Sequence, residues 1–102
     1  MPSVEFPLAN KQLSQFCKTY HIQWLALFGS RAKGTAKKGS DIDLLVEFEP
    51  DAAVGLIEFA HIREELGRLL SGYRLDLVSR RGLNRHIREE VLASARVLYE
   101  AG

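Results

Sequence analysis

Cysteine occurs once in the 102 residues, at Cys17, so no internal disulfide can form and no Cys-based metal site exists. Net charge is also nearly absent: 14 basic side chains stand against 13 acidic ones, a formal +1. That balance argues against holding nucleic acid or an anionic membrane through overall charge. Long apolar runs are missing, the longest being a few residues against the ~20 needed to cross a bilayer. Met1-Pro2-Ser3-Val4-Glu5 has neither a basic start nor an apolar stretch and does not read as a secretory leader. Repeats, linkers and low-complexity tracts are lacking too. With 46% apolar and 26% charged residues, disorder and collagen-like sequence are excluded. The expectation is one reduced, cytoplasmic domain over residues 1–102 with no membrane association. A chain this short buries only about two-thirds of the surface it exposes when unfolded, which leaves little room for a large private substrate pocket.

Periodicity predicts the elements. A helix starts at Asn10, a suitable N-cap, with Leu13, Phe16, Cys17 and Tyr20 on one stripe; Cys17 therefore reads as core. Ile22 to Phe28 is a nearly continuous apolar run that suits a strand covered on both faces, with Trp24 packed in the core. Residues 31–40 are small, basic and glycine-containing, with room for one short helix and a turn. Asp41 to Phe48 reads as a second strand, and Gly55 to Leu70 as a helix stopped by Gly72. Tyr73 to Ser79 alternates as a third strand. Leu83 to Tyr99 reads as a closing helix with Leu83, Ile87, Val91, Leu92, Ala95, Leu98 and Tyr99 on one broad face. The expected fold is α/β in the order α-β-α-β-α-β-α, a small three-stranded mixed sheet flanked by helices. Three strands leave two sheet edges, open to self-association as a homodimer or to a partner.

Asp41-Ile42-Asp43 is the first chemical feature. On a strand, residues i and i+2 share a face about 7 Å apart, so both carboxylates point one way and repel unless a cation lies between them. Mg²⁺ suits such a pair because it takes oxygen ligands from a few carboxylates and from phosphates. Alone, an Asp-x-Asp is also what any solvated strand presents. The second feature is Gly29-Ser30 at the end of the first strand, where backbone N–H groups and a hydroxyl are offered to an anion. Arg31, Lys33, Lys37 and Lys38 follow with no acid before Asp41; alone, this is equally a solvated basic loop. A P-loop is excluded because Thr35 stands where that motif needs lysine after Gly34. Donors at the end of the first strand meet carboxylates at the start of the second only if the two strands are antiparallel. The long helix after the second strand favours a parallel third one. Asp76, between Leu75 and Leu77, then reaches the face of Asp41 and Asp43 if the register agrees, and three carboxylates beside a phosphate-binding turn suit two-metal phosphoryl transfer.

Gly29-Ser30, ten residues, then Asp41-x-Asp43 and a third acid at Asp76 resembles the nucleotidyltransferase superfamily of DNA polymerase β. Leu27-Phe28-Gly29-Ser30-Arg31-Ala32-Lys33-Gly34 and Ser40-Asp41-Ile42-Asp43-Leu44-Leu45-Val46 look like the minimal nucleotidyltransferases, or MNT proteins, of prokaryotes. The resemblance covers nearly the whole chain. It implies transfer of a nucleoside monophosphate from a nucleoside triphosphate to a hydroxyl, with release of pyrophosphate. It implies Asp41 and Asp43 as ligands of triphosphate-bound Mg²⁺, Asp76 completing a second metal site and helping to deprotonate the acceptor, and Gly29 and Ser30 holding the terminal phosphates. Arg31 would contact phosphate or a neighbouring carboxylate. It further implies an antitoxin that adds AMP from ATP to a tyrosine of a HEPN-type ribonuclease toxin. Two alternatives stay open: neutralisation of the partner by binding alone, and nucleotide transfer to an RNA or small-molecule acceptor.

Arg80, Arg81, Arg85, His86 and Arg88 form a basic cluster around the start of the last helix. It reads as a solvated face or as a grip for triphosphate, RNA or an acidic partner, although direct nucleic-acid binding is not expected from the overall charge. His21 sits at a helix end, where it suits the dipole, and His61 lies mid-helix as a spacer; neither has metal-ligand spacing.

Overall fold

The computed structural model describes residues 6–34 and 41–101. The turn and the basic residues Lys37 and Lys38 expected in 35–40 lie outside the described residues. Helix α1 (Asn10–Thr19) leads into β1 (Ile22–Phe28), and the four-residue α2 (Ser30–Lys33) follows at once. Strand β2 (Ile42–Phe48), helix α3 (Leu56–Leu69) and strand β3 (Leu75–Ser79) form a crossover unit. A short 3₁₀ turn (Arg80–Gly82), helix α4 (Arg85–Ser94) and strand β4 (Arg96–Glu100) complete the order. Asn10 opens α1 instead of capping it; Ala9 is the N-cap and makes no side-chain bond. The cap that does form is at α4, where the Asn84 side chain accepts from the His86 backbone N–H at 2.8 Å.

The sheet is mixed, as expected, but it has four strands in the order β3-β2-β1-β4. β1 and β2 run antiparallel, with Phe28 opposite Asp43, and β2 and β3 run parallel, with Asp43 opposite Asp76. The added strand corrects the expected closing helix, which ends at Ser94. There the Ser94 hydroxyl folds back on the Glu90 and Val91 carbonyls, and Ala95 turns to extended backbone at ψ 146°. Val97, Leu98 and Tyr99 are as well suited to a strand as to a helix face, and β1 has an unfilled edge once β2 has taken the other. Pairing there, antiparallel, with Trp24 opposite Glu100 and Leu27 opposite Arg96, outweighs the helical spacing.

Each sheet face has its own core. Leu13, Phe16 and Cys17 of α1 and Ile62 and Leu66 of α3 pack on Leu25, Leu27, Ile42, Leu44 and Val46. On the other face Trp24, Ala26 and Leu45 meet Leu83 and half-buried Val91 and Leu92 of α4. The β1–β2 register slips between Ile22 and Trp24, which puts Ile22 on the same core as Leu25 in spite of the strict alternation of a strand. Cys17 is fully buried, as expected, and burial pushes its thiol up to about 12, so it stays protonated. His21 occupies a left-handed turn at φ 59°, and its Nδ1 lies 3.5 Å from Glu49 Oε2. Exposed His61 stands edge-on to Tyr20 at 6.1 Å. Among the described residues no helix is long and apolar enough to cross a membrane.

Candidate active site

Register alone gathers the acidic side chains. Because Phe28 faces Asp43 across β1 and β2, the Gly29-Ser30 turn that ends β1 lies against the Asp43 side chain. Because β3 pairs in parallel with β2, Asp76 stands beside Asp43 on the same face. The backbone bond from Ile42 N–H to the Arg74 carbonyl, 2.7 Å, fixes that register at its first rung. Asp41 precedes the strand and is exposed, as is Asp76, while Asp43 is half-buried.

Gly29 is the point of closest approach. Its backbone sits at φ 75° and ψ −153°, and a Cβ there would meet a carboxylate oxygen of Asp43. A strand can turn this tightly beside an acid only through a residue without a side chain. Ser30 then opens α2, and the Lys33 N–H donates to the Gly29 carbonyl at 3.2 Å.

Burial raises the pKa of Asp43 above its ordinary value, and the charges of Asp76 and then Asp41 raise it further. Like charges close together in a partly dry place are what a bound cation would relieve. Among the described residues no three carboxylate, histidine or cysteine side chains converge closely enough to hold a metal ion unaided. The donors present, carboxylate oxygens of Asp43 and Asp76 beside the Gly29 turn, are of the kind Mg²⁺ takes together with phosphate oxygens and water.

Arg31 makes two contacts that its place in the basic run does not announce. Its Nε donates to the backbone carbonyl of Asp41 at 3.3 Å, and its guanidinium lies 5.2 Å from the Tyr73 ring centroid. Arg31 thus ties α2 to the start of β2 and to the approach of β3. Periodicity marks Tyr73 only as part of the third strand; it lies just before β3 as a half-open aromatic beside Arg31. Nothing local marks it, because its partner is brought there by the fold. Of the acidic run that follows Asp43, Glu47 is bonded by Gln23 Nε2 at 3.1 Å and Glu49 faces His21, so neither joins the site.

A parallel β2–β3 pair with aligned acids, beside a glycine-serine turn that closes an antiparallel β1, defines a nucleotidyltransferase architecture. Residues 11–102 match the family described as Polymerase beta, Nucleotidyltransferase, and the chain belongs to it. The chain is 38% identical over 73 residues to the protein adenylyltransferase MntA of Thermococcus cleftensis, covering 72% of this chain and 71% of that protein. A solved structure described as a minimal nucleotidyltransferase superposes with TM-score 0.69 at 38% identity, over 84% of this chain and 85% of that one. Within its family the chain is a minimal nucleotidyltransferase. A solved complex of the tri-AMPylated Shewanella oneidensis HEPN toxin with MNT antitoxin matches over 90% of this chain and 70% of that one, at TM-score 0.64. At 19% identity that last likeness speaks for the fold alone.

Proposed function

We propose that the chain transfers AMP from ATP to a tyrosine hydroxyl of a HEPN-type ribonuclease toxin and acts thereby as its antitoxin. The observation that carries this reading is the position of Asp43, between the Gly29 turn on one side and Asp76 on the other. The likeness to the protein adenylyltransferase of Thermococcus cleftensis supports a protein acceptor.

In the reaction the acceptor oxygen loses its proton and bonds to the α-phosphorus of ATP. The bond from that phosphorus to the bridging oxygen breaks, and pyrophosphate leaves with the electron pair. Asp41 and Asp43 would hold Mg²⁺ together with the triphosphate, and Asp76 would complete a second position and take the acceptor proton. Bound divalent ions supply neutralisation of the charge that builds on the attacking and leaving oxygens. Gly29 offers backbone to the terminal phosphates without a side chain in the way, and Ser30 offers its hydroxyl. Arg31 keeps the Asp41 backbone in place through the carbonyl bond.

Incubating the chain with a HEPN-type partner, α-labelled ATP and Mg²⁺ tests the reading. Label should move to the partner, and Asp43→Asn or Asp76→Asn should cut the rate by about 10²-fold or more while the circular dichroism stays that of the parent. An unmodified partner by intact mass sinks the proposal. Full neutralisation of the toxin in cells by the Asp41/Asp43/Asp76 triple variant would show that occlusion, not adenylylation, silences it.

A further inference from the structure

The sheet face that carries the acids has a second polar site at its other end. Where the parallel strands β2 and β3 finish, Glu47, Arg80, Arg81, Arg88 and Leu92 line a concavity of about 330 Å³. A smaller one of about 180 Å³ shares Glu47 and Arg81 with it. Glu47 lies four residues beyond Asp43 on β2, which at the rise of a strand is about 13 Å. The two ends of the face are therefore separate sites.

Two of the three arginines are held in place. The Arg80 guanidinium lies over the Trp24 ring at 4.5 Å from its centroid, and its Nη1 is 3.7 Å from Glu47 Oε1. Arg88 Nη2 donates to the Leu83 carbonyl at 3.2 Å. Arg81 is exposed and has no hydrogen-bond or ion-pair partner among the described residues. Three cations and one carboxylate leave the pocket with a formal charge of +2. Stacking and a carbonyl bond orient the planar N–H forks, and Glu47 offsets only one of the three charges, which suits bidentate recognition of an oxyanion. A carboxylate would balance only half of that charge. A phosphate monoester carries about −1.5 to −2 at neutral pH and balances nearly all of it.

We propose that this arginine pocket binds a phosphate monoester dianion, as a site distinct from the one that takes the triphosphate. The ligand is a free nucleoside monophosphate or the phosphorylated 5′ end of an RNA, and the shared chemistry is the dianionic monoester. The pocket follows from its own geometry and does not depend on the adenylyl-transfer reading.

Trp24 is the only tryptophan in the chain and lies under Arg80, so its fluorescence reports on the pocket directly. The full chain in EDTA is titrated with inorganic phosphate, AMP, and a short RNA with either a 5′-phosphate or a 5′-hydroxyl; acetate at equal ionic strength is the control. Phosphate and the monoesters should give a saturable change that acetate does not. Arg81→Ala should weaken it about tenfold, the loss of one charge-assisted contact, and leave adenylyl transfer unchanged. Asp43→Asn should retain the full response, which separates failure of this proposal from failure of the catalytic one. Tighter binding of AMP identifies a free nucleotide, and a preference for 5′-phosphate over 5′-hydroxyl RNA identifies a chain end. No saturable change at millimolar phosphate overturns the proposal, as does an equal response to acetate or an unaltered response in Arg81→Ala. Weakened capture of a protein partner by Arg81→Ala, with no phosphate response in the parent, would likewise overturn it in favour of an acidic protein surface.

Discussion

At Gly29 the backbone takes φ 75° with ψ −153°, where L side chains are strained, and the missing Cβ leaves room for the Asp43 carboxylate. Gly29→Ala therefore meets two separate penalties. The backbone strain alone costs about 1–3 kcal/mol, and urea unfolding should show a loss of that order or more. The steric part is shared with Asp43, so adding Asp43→Ala should restore some of the loss while leaving the strain. The two substitutions should couple in a double-mutant cycle; strictly additive effects would contradict the contact. The nearness of Gly29 and Asp43 was legible from the spacing of Gly29-Ser30 and Asp41-x-Asp43, and that of Asp76 from a parallel third strand in register. The contact between Tyr73 and Arg31 was not. Their contact joins the approach to β3 with α2, and only the fold brings such distant positions together.

Helix α3 shows how unevenly one element contributes. Ile62 and Leu66 are fully buried between α3 and the sheet, whereas Leu56 and Ile57 in its first turn are 90% and 89% exposed. Ile62→Ala should cost about 2–5 kcal/mol by leaving a cavity. Leu56→Ser should change stability by no more than about 0.5 kcal/mol, because that side chain touches little in this chain. Equal losses from the two in denaturant melts would contradict the packing. The helices and strands up to Ser79 were legible from periodicity to within a residue or two at their ends. The final segment was not, because Ile87, Val91, Leu92, Ala95, Leu98 and Tyr99 fit a helical stripe with no glycine or proline to break it. The free edge of β1 decided that stretch, and an edge is a property of the assembled sheet, invisible in a local window.

Over the whole molecule, near neutrality hides two ends of one sheet face with opposite charge: aspartates where β2 and β3 begin and arginines where they finish. Without a cation the acidic end opposes folding. Asp43 binds its proton more tightly in the folded chain than the ordinary carboxylate value of 3.8 allows. Its protonation therefore favours the folded state fully below that value, and the benefit is lost as pH rises through the raised one. At neutral pH in EDTA, Asp43→Asn should raise the thermal midpoint, and the stabilisation that Mg²⁺ gives the parent should shrink in the variant. A lower midpoint for the variant in EDTA would show that Asp43 does not carry that penalty.

Arg96, the first residue of β4, donates from Nε to the Ala32 carbonyl in α2 at 3.4 Å, and the strand it opens pairs with β1 as far as Leu27, two residues before Gly29. The edge strand of the sheet thus braces α2, next to the Gly29 turn. The outer edge of the sheet and the turn beside the acids are one mechanical unit, tied through a single arginine.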